Sequence, residues 1–195
     1  MTTRKPIFKA QISKKGIKGT IFGLLFGISF GAGYQEYYGV GTWHSAETPA
    51  ENFSVCFTPP RGCGSLIAQR IQEAKLSIYA QAYSLSNYAI INQLILAKSR
   101  GVNVRLVLDN SNFSENKSTV TDLRNAGIEV VKDSISGIAH NKIIIIDEAQ
   151  VITGSFNFSE AADKRNAENV MFIQDKNIAS FYLANWHKRY NEAIK

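Results

Sequence analysis

The chain has 195 residues, 45% of them hydrophobic, which suffices for one ordinary domain with a proper core plus an additional segment. A formal charge of +6 at first suggests a polyanion-binding protein, but its distribution excludes that inference. Arg4, Lys5, Lys9, Lys14, Lys15 and Lys18 precede the first acidic residue, and the 16 basic residues left match the 16 acidic ones.

The basic stretch runs into the apolar, glycine-rich sequence GTIFGLLFGISFGAGY, Gly19 to Tyr34. A basic flank followed by an apolar run predicts a secretory signal peptide or a signal anchor over residues 1–35. Gly31, Ala32 and Gly33 offer small residues for cleavage without a clean Ala-x-Ala, so both fates stay open. Positive charge stays on the cytoplasmic side, which sends the rest of the chain across the membrane. The expectation is a secreted or periplasmic protein, membrane-anchored if the signal is uncut. A buried core helix is the weaker alternative, because the basic flank argues against it. Residues 36–52 are polar and read as a linker, and 53–195 as the catalytic domain.

Cys56 and Cys63 lie in CFTPPRGC, where the Pro-Pro-Arg-Gly turn lets the ends meet. After export they can oxidise to a disulfide, and in a cytosolic protein they would be free thiols. Two cysteines without a histidine at ligand spacing do not make a zinc site, so no metal and no cofactor are expected.

Further along, Gly64 to Lys75 predicts a helix with Leu66, Ile67 and Ile71 on one face, and Leu76 to Tyr83 a strand. Asn87 to Ser99 predicts a helix stopped by Gly101, and Val102 to Asp109 a strand. Thr119 to Ala126 reads as a short helix and Ile128 to Lys132 as a strand. Lys142 to Asp147 holds four consecutive isoleucines, as in a strand buried on both faces. The chain then turns through Asp147 to Gln150 and returns over Val151 to Ser155. A helix near Ser159 to Lys164, a strand from Glu168 to Gln174 and a helix from Lys176 to Ala193 complete the domain. The expected fold is α/β: one mixed, largely parallel β-sheet with helices on both faces. Trp186, Tyr182, Phe181, Tyr79 and Tyr83 read as core, although a side chain near Tyr83 or Ser84 could border the pocket.

The chemistry concentrates in HNKIIIIDEAQVITGSFNFSEAADKRNAEN. Residues two apart on a strand share a face, so His140 and Lys142 project together, and so do Ser155 and Asn157. A hairpin turning at Glu148–Ala149 brings the two pairs side by side. An imidazole, an ammonium, a hydroxyl and an amide then converge. Lys142, Ser155 and Asn157 can donate to phosphate oxygens while His140 attacks phosphorus.

His140-x-Lys142, Asp147 and Gly154-Ser155-x-Asn157 at these spacings resemble the phospholipase D superfamily motif in its small, single-motif bacterial members. CFTPPRGC, the QAYS run, GIAHNKIIIID and ITGSFNFSEAADKRNAENV look especially like the rickettsial members, with the plasmid-type nucleases as more distant cousins. The resemblance covers Cys56 to the C-terminal helix. It implies a phosphohistidine intermediate on one histidine, while a second histidine protonates the leaving group and then activates water. This chain carries one such motif, since His44 lies in the linker and His187 lacks the rest of it. The second set therefore implies a homodimer with a shared active site. The resemblance also places Glu168 in the catalytic set, orienting and charging the imidazole. Asp147 joins it as a motif residue with a mainly structural part, fixing the turn.

The expected function is phospholipase D hydrolysis of a phosphatidylcholine-type lipid at a membrane surface to phosphatidic acid. A metal-independent endonuclease acting on DNA or RNA is the alternative, with Lys164 and Arg165 as its candidate backbone contacts. The balanced charge of the body weighs against that alternative. A lipid-binding module without turnover is weaker still, because His140, Lys142 and Asn157 are intact. Asp109-Asn110-Ser111-Asn112 at a strand end could line the cleft, but loops of this composition are common and it is left outside the catalytic set.

Overall fold

The computed structural model describes residues 52–195. The expected signal or anchor segment and all of the linker before Asn52 lie outside the described residues. In chain order the elements are β1 (Phe53–Thr58), α1 (Cys63–Glu73), β2 (Ser77–Ala82), α2 (Tyr88–Ser99), β3 (Asn103–Leu108) and a 3-10 turn (Asn110–Phe113). Then follow α3 (Lys117–Asn125), β4 (Glu129–Lys132), β5 (Lys142–Ile146), β6 (Gln150–Gly154), α4 (Glu160–Lys164), β7 (Glu168–Gln174) and α5 (Lys176–Ala193). One mixed sheet results, in the order β1-β7-β6-β5-β2-β3-β4, with helices on both faces.

The α/β class and the mixed sheet agree with the sequence, but the sheet is not largely parallel. Only β2–β3 and β3–β4 run parallel. The β2–β5, β5–β6, β6–β7 and β1–β7 pairs are antiparallel. Helices α2 and α3 are long enough to carry the chain back across the sheet, which parallel pairing requires. After Lys132 the connections are a loop, a tight turn and the five-residue α4, too short for a crossover. Strand β1 was not foreseen at all. It is an edge strand paired only with β7, and Phe53 and Phe57 stay exposed, so it lacks a clean alternating pattern.

The isoleucine run serves two cores at once. Ile144 and Ile146 join Ile78, Leu106 and Ile152 beneath α1 and α2, which contribute Ile67, Ile71, Ile90 and Leu94. Ile143 and Ile145 face the other way and meet Tyr79, Val107 and Val151 beneath Trp186 and Tyr190 of α5. Each position must be apolar, because alternate side chains enter opposite layers. Trp186 is fully buried, and its Nε1 donates to the Ala80 carbonyl (3.0 Å). Phe181, expected in the same stripe, is instead 77% exposed. Five residues before Trp186, it is rotated roughly 140° away from the buried face.

Local signals fix the ends of the elements. Asn87 accepts from Ile90 N at the start of α2, and Asp175 accepts from the Asn177 and Ile178 N–H groups at the start of α5. Asp163 Oδ1 accepts from the N–H groups of Gly62 and Gly64, tying α4 to the start of α1. Cys56 and Cys63 form a disulfide that joins β1 to the first residue of α1.

Candidate active site

One edge of the sheet collects the chemistry. Register pairs Ala82 with Lys142 and with Leu108, Ile143 with Thr153, Gly154 with Val170, and Thr58 with Glu168. The C-terminal ends of β2, β3 and β6 therefore lie beside the N-terminal ends of β5 and β7. His140 immediately precedes β5, Ser155 and Asn157 follow β6, and Glu168 opens β7, so the structure brings these groups and Lys142 to one end of the molecule.

His140 is exposed, and its imidazole lies edge-on to the Tyr83 ring with centroids 4.7 Å apart. Lys142 is buried, at 7% exposure. Its Nζ donates to the His140 carbonyl (2.7 Å) and lies 5.3 Å from the centroid of the same Tyr83 ring. Burial pushes the Lys142 ammonium below the ordinary lysine range, while the negative charge of Glu168 works in the other direction. Partial loss of water around the ammonium strengthens its attraction for any anion brought close.

Ser155 donates to Glu168 Oε2 (2.6 Å) and accepts from Asn169 N (3.1 Å) and Asn169 Nδ2 (3.3 Å). The second Glu168 oxygen accepts from Asn166 Nδ2 (3.0 Å), and no hydrogen bond joins Glu168 to His140 within this chain. The expected Glu168–imidazole contact is thus not made inside one subunit. Asn157 is half-buried, and its Oδ1 is buried without a hydrogen-bond partner. Ser77 Oγ and Gln93 Oε1, away from this site, are buried without a partner in the same way, so the unpaired oxygen by itself marks no ligand. Gly154 has a steric reason: its φ is +152°, and a Cβ there would lie 2.2 Å from the Asn169 carbonyl oxygen. That close approach lets Ser155 N and Phe156 N both reach the Asn169 carbonyl (3.1 and 3.3 Å).

Asp147 stands apart. It follows the far end of β5, roughly 16 Å from Lys142 by strand rise. There its carboxylate accepts the N–H groups of Lys75 (2.9 Å), Leu76 (2.7 Å) and Ser77 (2.9 Å). Asp147 and Glu148 form the turn with φ of 51° and 54°. The structure therefore removes Asp147 from the reacting groups and leaves it the structural part.

Two groups not assigned from sequence belong to the site. Tyr83, read as core, touches both His140 and Lys142. Asp109, set aside as part of a loop, is 4% exposed, and its two oxygens accept Ser111 N (2.9 Å) and Ala139 N (2.8 Å). It thereby clamps the backbone one residue before His140. Burial alone would raise the Asp109 carboxyl. The hydrogen bonds from Ser111, Ala139 and Asn110 outweigh it and hold the group below its ordinary value. At the other end of the same loop, Arg189 donates to both oxygens of Asp133. The available signal was position, since ligands of open α/β sheets gather beyond the C-terminal strand ends, where Tyr83 and Asp109 both sit. Beside Asn141 lies a shallow cavity of about 340 Å³, lined by Asn141, Ile143, Phe181, Tyr182 and Asn185. Among the described residues no group of three or more His, Cys, Asp or Glu side chains could hold a metal ion.

Residues 67–189 match the family described as "Cardiolipin synthase, PLD-like domain". The chain belongs to the phospholipase D superfamily. A phospholipase D of Rickettsia prowazekii is 52% identical to it over 144 residues, 74% of this chain and 70% of the relative. The phospholipase D family member Nuc of Salmonella typhimurium superimposes with a TM-score of 0.67 at 35% identity, over 72% of this chain and 94% of Nuc. A mitochondrial cardiolipin hydrolase of Xenopus tropicalis is 31% identical over 61% of this chain and 57% of its own. In this superfamily member the motif residues fall where the geometry had already placed the chemistry, apart from Asp147.

Proposed function

We propose that this protein is a phospholipase D, a phosphodiester hydrolase that releases the head group of a phosphatidylcholine-type lipid and leaves phosphatidic acid. The observation that carries the proposal is the exposed His140 imidazole next to the buried Lys142 ammonium, both against one tyrosine ring. Similarity to the rickettsial phospholipase D over most of the domain supports the lipid as substrate. The imidazole attacks phosphorus and forms a P–N bond. The head-group alcohol leaves with a proton from a second imidazolium, which then removes a proton from the water that breaks the P–N bond. Lys142 and the Asn157 amide neutralise and orient the phosphate oxygens, and Ser155 joins them once its hydroxyl turns from Glu168.

One chain supplies one such histidine, so the working unit is a homodimer with its site on the two-fold axis. Glu168 does not reach the His140 of its own chain, and the imidazole it serves belongs to the partner subunit. The residue 1–35 segment supports export, with the domain working outside the cytoplasm as a secreted, periplasmic or anchored enzyme. The nucleophile is a side chain and the neutralising charge an ammonium, so the reaction calls for no metal.

The test is an assay of the full chain and of His140→Ala against phosphatidylcholine vesicles and against DNA, each with excess chelator. Choline release that resists chelator and disappears in the variant is expected. Undiminished release by His140→Ala would overturn the assignment. Chelator-resistant cutting of DNA without lipid turnover would put the nuclease alternative in its place, although Lys164, one of its two proposed contacts, is already paired with Glu160.

A further inference from the structure

We propose that Tyr83 is a positioning residue, its ring holding the His140 imidazole at one side and the Lys142 ammonium at another so that nucleophile and phosphate-binding charge keep a fixed spacing. This inference rests on the phosphodiesterase reading above and adds a residue that the motif does not contain. A tyrosine at a strand end ordinarily serves as packing. Here the ring is only half-buried, and it lies against both motif side chains.

Its own placement is fixed by the backbone. Tyr83 N donates to the Asn141 carbonyl (3.0 Å), between the two motif residues. The Tyr83 carbonyl accepts from Asn112 Nδ2 (2.8 Å) and Ser111 Oγ (3.4 Å). Asn112 is fully buried, and its Oδ1 accepts from Leu85 N (3.0 Å), so the segment carrying Tyr83 is braced on both sides. Asp109 links Ser111 to Ala139, which closes the frame around His140.

The ring does two physical things. Its contact with the imidazole removes rotational freedom from a side chain that is otherwise exposed, and misplacement of a reacting group by about 1 Å can cost up to roughly 100-fold in rate. Its electron-rich face lies near the partly desolvated Lys142 ammonium. Glu168 from β7 also acts on that ammonium through its charge, and the His140 carbonyl accepts its hydrogen bond.

Three substitutions in the full-length protein test the idea. Tyr83→Phe keeps the ring and should retain most of the turnover. Tyr83→Leu should lower kcat by about tenfold or more with KM changed far less. Because Tyr83→Leu risks misfolding, phenylalanines with increasing fluorination at position 83 provide an isosteric series. Each fluorine weakens the ring face without changing its shape, so kcat should step downward along the series. A folded Tyr83→Leu enzyme with kcat within twofold of the natural chain would overturn the proposal, and so would a kcat that stays constant across the fluorinated series. Failure of the underlying phosphodiesterase reading looks different, since His140→Ala would then retain activity.

Discussion

The two ends of β5 carry two charged residues of the same motif, and they are treated in opposite ways. At one end Lys142 is buried, its ammonium is destabilised, and that ammonium donates to a backbone carbonyl two residues away. At the other end Asp147 accepts three backbone N–H groups from the start of β2 and closes a turn with positive φ. The Lys142 end keeps a charge at a cost in stability, as the proposed phosphate contact would require, and the Asp147 end uses its charge to hold the fold. Spacing within a motif thus does not imply a shared task.

This contrast can be broken at either end. Lys142→Met should cut turnover by about 10²- to 10³-fold, since a preorganised charge at the reacting phosphate is lost. The same change should raise Tm by about 2–4 °C, because it removes an ionised group from a buried position. A lower Tm in a properly packed variant would contradict the account of that end.

Next in size, Asp109→Asn keeps one acceptor and loses the charge that grips Ala139. Turnover should fall by about 10-fold through misplacement of His140. The sign of its acid behaviour follows from a carboxyl held below its ordinary value. The stabilisation is present above the unfolded-state pKa and is lost as pH falls through the folded one. The variant should therefore show a shallower loss of stability on acidification than the natural chain, measured by thermal unfolding from neutral to acid pH.

Asp147→Ala should behave differently, with a loss of about 2–3 kcal/mol of stability and kcat of the folded enzyme within about threefold. A large fall in kcat with stability intact would return Asp147 to the chemistry. The smallest effect concerns Lys142 alone. Folding stability should rise with pH between its lowered folded-state value and the ordinary lysine value, because the unfolded chain binds the extra proton there. In Lys142→Met that increment should be absent from denaturant titrations at alkaline pH.

Much of the fold was legible because its signals are local. The isoleucine run, the Gly101 stop, and the Glu168–Gln174 strand and Lys176–Ala193 helix each rest on periodicity or end chemistry within a few residues. Strand β1 escaped because an edge strand with one partner has little need of alternation. Its neighbour in the chain, the disulfide, needed only the short CFTPPRGC loop to bring the thiols into reach. Parallel against antiparallel pairing depends on whether a connection crosses the sheet, and composition says little about that.

The site divides along the same line. His140, Lys142, Ser155 and Asn157 could be named from the chain alone, because a phosphoryl-transfer site needs those groups and a hairpin brings fixed spacings together, whereas Glu168 was named only by the family resemblance. The parts played by Tyr83 and Asp109 could not. Their parts depend on contacts between β2, β3 and the loop before β5, which lie roughly 30 to 70 residues apart in sequence and meet only when the sheet has assembled. Reactive groups are specified by residue type and spacing, whereas the groups that hold them in place are specified by packing, which no short stretch of chain contains.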